Sequence, residues 1–174
     1  MAALAPRAYA LLAPGTNWPT KRWPIERFAA LPPLLKQRFD LDTVVVGGPA
    51  ERELTARIAG ATNLAGQTTL RQLCALVERA AVVISNDSGP MHIAAAMDRP
   101  LVALFGPTNP VRTGPHNRPD AVLRLDMPCS PCYSRQCSHQ SCLQWIQVEP
   151  VLRAVELQLS AASPTARGMP VMRP

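Results

Sequence analysis

The chain has 174 residues, of which 47% are hydrophobic, a size and composition that fit one ordinary domain with a sizeable core. Its 18 Lys and Arg residues exceed its 12 Asp and Glu residues and give a formal charge of +6, but the basic residues are spread along the chain and only 5% of residues are aromatic. That distribution argues against nucleic-acid binding and fits an anionic small ligand or an acidic membrane surface. No apolar run approaches the ~20 residues of a membrane-spanning helix, and the first residues lack the pattern of a secretory signal, so we expect a cytoplasmic protein.

Apolar runs alternate with segments of helical spacing in the first third of the chain. Residues 8–13 (AYALLA) predict a short buried strand that ends at a Pro-Gly pair. Residues 25–39 carry apolar side chains at helical spacing, and Pro32-Pro33 predicts a bend or an interruption in that helix. Residues 43–46 (TVVV) predict the second strand, and residues 51–59 predict the second helix.

The same alternation continues to about residue 125. In chain order the sequence predicts a helix, a strand, a short helix and two further strands, at residues 70–80, 81–85, 91–97, 101–105 and 121–125. Strands that alternate with helices indicate an α/β domain, a Rossmann-like doubly wound parallel sheet with helices on both faces. We assign this domain to residues 1–159. Residues 160–174 are rich in Pro, Ala and small polar residues and predict a disordered tail.

Ligands of such sheets bind beyond the carboxyl ends of the strands, so the loops after the strands should share one edge. The first loop, PGTNWPTKRWP, offers Gly15 for close backbone approach, the hydroxyl of Thr16 and the cation of Lys21, a set that suits a diphosphate. It has neither Walker A nor GxGxxG spacing, and a solvated Pro-rich loop is the alternative. The second loop, GGPAE, presents Glu51, which either binds the vicinal hydroxyls of a ribose or stabilises the start of a helix.

The segment ISNDSGPMH, at residues 84–92, is the most informative one. Asp87 or Ser88 can cap the helix that follows, and Pro90 fits its first turn, where the missing N–H costs nothing. The backbone amides near Ser88 and Gly89 are then free to bind an anion at the positive end of the helix. Asp87 would repel a phosphate, so it either caps the helix or accepts hydrogen bonds from sugar hydroxyls. His92 is either a packing residue or part of the site.

Four segments together resemble the nucleotide-binding C-terminal half of the lipopolysaccharide heptosyltransferases: ALLAPGTNWPTKRWPIERFAAL, VVVGGPAERE, LAGQTTLRQLCALVERAAVVISNDSGPMHIAAAMDRPLVALFGPTNP and CSPCYSRQC. The resemblance runs from about residue 8 to residue 155, and the cysteine-rich segment makes the chain more similar to type II than to type I. It implies one half of a GT-B fold and an inverting transfer of heptose from ADP-heptose to the inner core of lipopolysaccharide. It implies no required cofactor or metal.

The resemblance also implies a donor site of nine residues, which are Thr16, Lys21, Glu51, Thr68, Leu70, Asp87, Ser88, Gly89 and His92. Lys21 is similar to the family lysine that contacts the donor diphosphate, and Glu51 matches the acid on the ribose hydroxyls. Asp87 matches the acid that touches the heptose. The GQTTL stretch at 66–70 lies in the region that lines the adenine, and the amides of residues 88–89 take the phosphates.

The family base that deprotonates the acceptor lies in an N-terminal domain, which has no counterpart in this sequence. We therefore expect no catalytic residue among these 174 residues, and donor binding that survives better than turnover. Lys21 and a helix N-terminus can stabilise the leaving ADP without a metal. The implied partners are ADP-heptose and the lipopolysaccharide inner-core acceptor, with peripheral contact at the inner membrane and no nucleic acid. A nucleotide-binding or partner-docking module without turnover is the alternative.

Four of the five cysteines lie in one short segment, as Cys129, Cys132, Cys137 and Cys142. Their spacing is compatible with a four-thiolate zinc or iron–sulfur site, in which His139 could replace one ligand. Free thiols, a structural metal, and a disulfide or redox role are all open. A metal- or redox-responsive cysteine module is accordingly a third class of function.

Overall fold

The computed structural model describes residues 9–162. Six strands form one sheet in the order β3-β2-β1-β4-β5-β6, and every neighbouring pair is parallel. The strands are β1 (Tyr9–Ala13), β2 (Asp42–Val45), β3 (Thr62–Asn63), β4 (Val82–Asn86), β5 (Leu101–Phe105) and β6 (Val122–Arg124). The strand order reverses between β1 and β4, which is the switch point where ligands bind to doubly wound sheets. The predicted Rossmann-like α/β fold is confirmed.

Eight α-helices connect or flank these strands within the described residues. They are α1 (Ile25–Ala29), α2 (Leu31–Phe39), α3 (Arg52–Thr55), α4 (Leu70–Arg79), α5 (Gly89–Ala96), α6 (Pro110–Thr113), α7 (Ser141–Gln144) and α8 (Val148–Ala162). Three short 3₁₀ turns occur at Pro19–Lys21, Pro49–Glu51 and Pro119–Ala121. No helix in the described range 9–162 is long and apolar enough to span a bilayer.

Both faces of the sheet are buried. Alternate side chains of β1 point to opposite layers, so that Leu12 packs with α1, α2 and α8 while Leu11 packs with α4 and α5. All five residues of β4 and of β5 are buried, which explains why these strands have continuous apolar runs rather than alternating patterns. The two apolar layers hold the carboxyl ends of β1, β2 and β4 at one edge.

The structure confirms one detailed element prediction and corrects two others. The interruption predicted within residues 25–39 is confirmed, since two helices meet at Ala30, and Pro32 lies in the first turn of α2, where a proline does not interrupt hydrogen bonding. The helix predicted over 51–59 ends at Thr55, because the chain turns through Gly60 at φ +74° to enter β3. Helix α8 includes residues 160–162, which the sequence analysis assigned to the tail. The rest of the predicted tail and residues 1–8 lie outside the described residues.

Asn86, the last residue of β4, connects this strand to the loop after β1. Its buried side chain accepts a hydrogen bond from the backbone N–H of Trp23 (3.1 Å) and donates one to the carbonyl oxygen of Pro14 (2.7 Å). The two bonds fasten the beginning and the end of one loop to the same amide group. Asn86 therefore fixes the loop from Pro14 to Trp23 against the end of β4.

We expect Asn86→Ala to lower the free energy of unfolding by about 2–4 kcal/mol, because it leaves a buried N–H and a buried carbonyl without partners. Chemical denaturation at neutral pH measures the change. Asn17→Ala, which alters an exposed amide of the same loop, is the matched control and should change stability by less than about 0.5 kcal/mol. Equal stabilities of the two variants would contradict the role given to Asn86.

Candidate functional site

A cavity of about 500 Å³ lies at the carboxyl ends of β1, β2 and β4. Its walls come from the loops that follow these strands and from the first residues of α4 and α5. All nine residues of the predicted site line it: Thr16, Lys21, Glu51, Thr68, Leu70, Asp87, Ser88, Gly89 and His92. The fold thus brings together residues from four separate segments of the chain at the switch point of the sheet, where ligand sites of this architecture occur.

A buried ion pair lies at the centre of this cavity. Lys21 Nζ is 2.7 Å from Asp87 Oδ2, and the two side chains are only 14% and 5% exposed. The same carboxylate oxygen accepts a hydrogen bond of 2.7 Å from the hydroxyl of Thr108. Asp87 therefore compensates the charge of Lys21 rather than capping α5, so the capping alternative for Asp87 is wrong.

The N-terminus of α5 faces the cavity without a side-chain cap. Ser88 occupies the N-cap position, but its hydroxyl lies 3.2 Å from the Ser85 hydroxyl and 3.3 Å from the Asn86 carbonyl oxygen instead of bonding to the helix. Pro90 has no N–H and the Met91 N–H donates to the Ser88 carbonyl oxygen at 3.2 Å, so the amide of Gly89 is the first-turn donor left available to a ligand. His92 is exposed on the same helix and lines the cavity, so the alternative of a packing histidine is wrong.

Glu51 lies across the cavity from α5 and folds back over its own loop. Its Oε2 accepts a 2.7 Å hydrogen bond from the backbone N–H of Gly48. The carboxylate also covers Gly15 so closely that a Cβ on Gly15 would lie 1.8 Å from Glu51 Oε1. A glycine at position 15 is thus required for the carboxylate to occupy its present position, a constraint that the sequence alone did not reveal.

The remaining wall is formed by the start of α4. Thr69 caps this helix by accepting from the N–H of Gln72 (3.3 Å), while the Gln72 side chain accepts from the N–H of Thr69 (2.8 Å). This reciprocal capping fixes the two neighbours of Thr69, Thr68 and Leu70, at the cavity wall. Leu70 is 70% exposed, so the wall presents an apolar surface to an incoming ring.

Two residues support the site from outside its lining. Arg22 donates from Nε (3.1 Å) and Nη2 (2.8 Å) to the carbonyl oxygen of Thr16, which holds the first loop in its curve. Thr108 is the contribution of the loop after β5, which does not line the cavity but bonds to Asp87 at the same edge of the sheet, as expected for loops that follow parallel strands. Sequence reasoning missed Arg22, Asn86 and Thr108 because their partners are backbone groups or residues distant in sequence.

The cysteine-rich segment packs against the loop after β5 rather than into the cavity. The backbone N–H groups of Cys132 and Tyr133 donate to the Pro107 carbonyl oxygen at 3.0 and 2.8 Å. Its four thiols are unbonded to one another, and burial together with the neighbouring thiols raises the pKa of Cys142. Across residues 9–162, no three metal-binding side chains are arranged to hold an ion.

The sequence of the chain is similar to those of known proteins. The family model for glycosyltransferase family 9 (heptosyltransferase) matches residues 1–143. The chain is 34% identical over 135 residues to lipopolysaccharide heptosyltransferase 1 of Pseudomonas aeruginosa, and the aligned region covers 76% of this chain and 38% of that protein. It is 39% identical over 124 residues to lipopolysaccharide heptosyltransferase 2 of Escherichia coli, covering 64% and 35%.

The fold agrees with that of a solved structure from the same group. The structure of the E. coli ADP-heptose lipopolysaccharide heptosyltransferase II superposes with a TM-score of 0.73 at 31% identity, over 90% of this chain and 47% of that one. The chain thus spans between about a third and a half of the length of these relatives. Relatives of both types match, so the greater similarity to type II stays a prediction. The fold, the matched segments and the extent of the family match show that the chain belongs to glycosyltransferase family 9, the heptosyltransferases.

Proposed function

We propose that this chain is the donor-binding half of a heptosyltransferase that uses ADP-heptose in the assembly of the lipopolysaccharide inner core. The observation that carries the proposal is the convergence of all nine predicted donor residues on one cavity at the switch point. The name of the E. coli relative supports ADP-heptose as the donor. The lipopolysaccharide acceptor, and peripheral contact with the inner membrane, follow from the same resemblance.

In this proposal the donor diphosphate lies between Lys21 and the first turn of α5. The Lys21 ammonium supplies a charge-assisted hydrogen bond, and the amides at residues 88–89 supply further donors where the helix dipole favours an anion. Negative charge grows on the diphosphate as the bond to the sugar breaks. Donors fixed in place before the reaction lower the barrier to that step, and the proposal therefore requires no metal.

This placement of the diphosphate determines where the ribose, the adenine and the heptose of the donor lie. The carboxylate of Glu51 accepts hydrogen bonds from the ribose hydroxyls, and the adenine lies against the exposed face of Leu70 near Thr68. Asp87 uses Oδ2 for Lys21 and Thr108, and within the described residues no donor reaches its Oδ1. That oxygen is therefore available to a hydroxyl of the heptose.

The transfer itself needs groups beyond this cavity. A base must take the proton of the acceptor hydroxyl as the new bond forms at the opposite face of the sugar, and the nine cavity residues are assigned to the donor. We propose that the base and the acceptor site belong to an N-terminal half, in line with the greater length of the relatives. Donor binding by this chain is then separable from turnover.

Calorimetric titration of the purified chain with ADP, UDP and GDP tests the proposal. We expect selective binding of ADP that does not depend on magnesium, and we expect Lys21→Ala to weaken it 10- to 100-fold, the equivalent of about 1–3 kcal/mol for a charge-assisted bond. Lys36→Ala, which removes an exposed lysine paired with Asp40 and Asp42 on the surface, is the control and should leave affinity unchanged. Absence of ADP binding by the unmodified chain would refute the proposed function.

The packing of Glu51 on Gly15 gives a second prediction. Gly15→Ala should displace the carboxylate and abolish the preference of the chain for ADP over 2′-deoxy-ADP, because the ribose hydroxyl loses its acceptor. Gly48→Ala is the matched control, since a Cβ there meets Glu51 Oε2 at an ordinary 3.8 Å. Thermal unfolding of both variants verifies that they fold. Retained ribose discrimination in Gly15→Ala would remove Glu51 from the ribose site.

A further inference from the structure

Two cationic side chains lie over the indole ring of Trp18. Trp18 and Lys21 line the cavity, whereas Arg135 approaches the ring from outside that lining. Lys21 Nζ is 4.6 Å from the ring centre and Arg135 Cζ is 4.4 Å from it. These distances place the two cations at most about 9 Å apart, within one Debye length at physiological salt, so that an anion in the cavity senses both charges. Lys21 belongs to the predicted site, whereas Arg135 lies in the cysteine-rich segment and has no assigned role.

The position of Arg135 is fixed by hydrogen bonds of its neighbours. The hydroxyl of Thr20 donates to the carbonyl oxygen of Ser134 at 2.8 Å. The residue before Lys21 is thereby bonded to the residue before Arg135. At its other end the segment is fastened by the hydroxyl of Ser130, which donates to the Gly106 carbonyl oxygen at 2.6 Å. These bonds fix the backbone on the N-terminal side of Arg135, from which the guanidinium reaches the ring of Trp18.

The charge balance of the cavity indicates what Arg135 does. Asp87 already compensates Lys21 at 2.7 Å, so this pair contributes little net positive charge to an incoming diphosphate. Arg22 directs two of its donors to the Thr16 carbonyl oxygen. Arg135 is exposed, and among residues 9–162 no carboxylate or carbonyl accepts from its guanidinium. Its charge and its N–H groups are therefore available to a ligand.

We propose that Arg135 is a second cation that binds the donor diphosphate. The inference rests on the proposed function and adds a residue to that site. A guanidinium stacked on an aromatic ring keeps its edge N–H groups free, and that edge matches two phosphate oxygens at once. Trp18 thus orients the guanidinium. Arg135 itself belongs to the cysteine-rich segment, more than a hundred residues after Trp18 in sequence.

Binding of ADP, AMP and adenosine to Arg135→Gln tests this role. We expect ADP affinity to fall about 5- to 30-fold, AMP affinity to fall less, adenosine affinity to stay unchanged, and the salt dependence of ADP binding to become shallower. Arg135→Lys should recover part of the loss, because it restores the charge without the planar fork. Arg153→Gln, at a 74% exposed position on α8, is the matched control and should bind ADP as the unmodified chain does.

Two results would overturn the inference while leaving the proposed function intact. Unchanged ADP affinity in Arg135→Gln would show that the guanidinium does not touch the diphosphate. Equal losses for ADP and adenosine would show that Arg135 acts only by supporting Trp18. If the unmodified chain binds no adenine nucleotide, the proposed function fails and the inference fails with it.

Discussion

The buried ion pair between Lys21 and Asp87 is the interaction on which the arrangement of the site depends. Lys21 comes from the loop after β1 and Asp87 from the loop after β4, and Thr108 adds a hydrogen bond from the loop after β5. A largely buried charge is costly unless it is paired, so each loop stabilises the position of the other. The pair therefore ties together the carboxyl ends of three adjacent strands.

The same pair has a consequence for binding. Because Lys21 and Asp87 compensate each other, neither charge at the cavity wall is left without a partner. A diphosphate then meets a lysine that is already oriented, an uncapped helix end and, by our inference, a second cation over Trp18. Groups held in place before binding need no reorganisation when charge develops, which is the main requirement for a stabilised leaving group.

Much of the fold could be predicted because its core strands are short, continuously apolar and separated by Gly and Pro. The strand at residues 101–105 was predicted with its observed ends, and the Pro32-Pro33 pair correctly indicated an interruption. Helix α8 was not predicted, although Val151, Leu152 and Val155 have helical spacing, and its last three residues were assigned to the tail because the residues from 160 onward are rich in Pro, Ala and small polar residues. Pro150 lies in the first turn, where proline is tolerated.

The candidate site was predictable only in part, because strand order groups its lining residues but does not determine the bonds between them. Carboxyl ends of parallel strands meet at one edge, so the lining residues could be grouped from the loops alone. Which of them pair could not be predicted, since the bond of Lys21 to Asp87 depends on tertiary packing. The same holds for Arg135, whose relation to Lys21 is set by the bond between Thr20 and Ser134. Cysteine spacing was compatible with a metal site, but within residues 9–162 no three metal-binding side chains are arranged to hold an ion.

A crystal structure of this chain with ADP is the most direct test of the account. We predict that this structure will show a diphosphate oxygen within about 3 Å of Lys21 Nζ, the usual length of a charge-assisted hydrogen bond. The phosphates should lie at the first turn of α5 and the ribose at Glu51. A nucleotide bound outside the cavity, or a diphosphate that leaves Lys21 bonded only to Asp87, would contradict it.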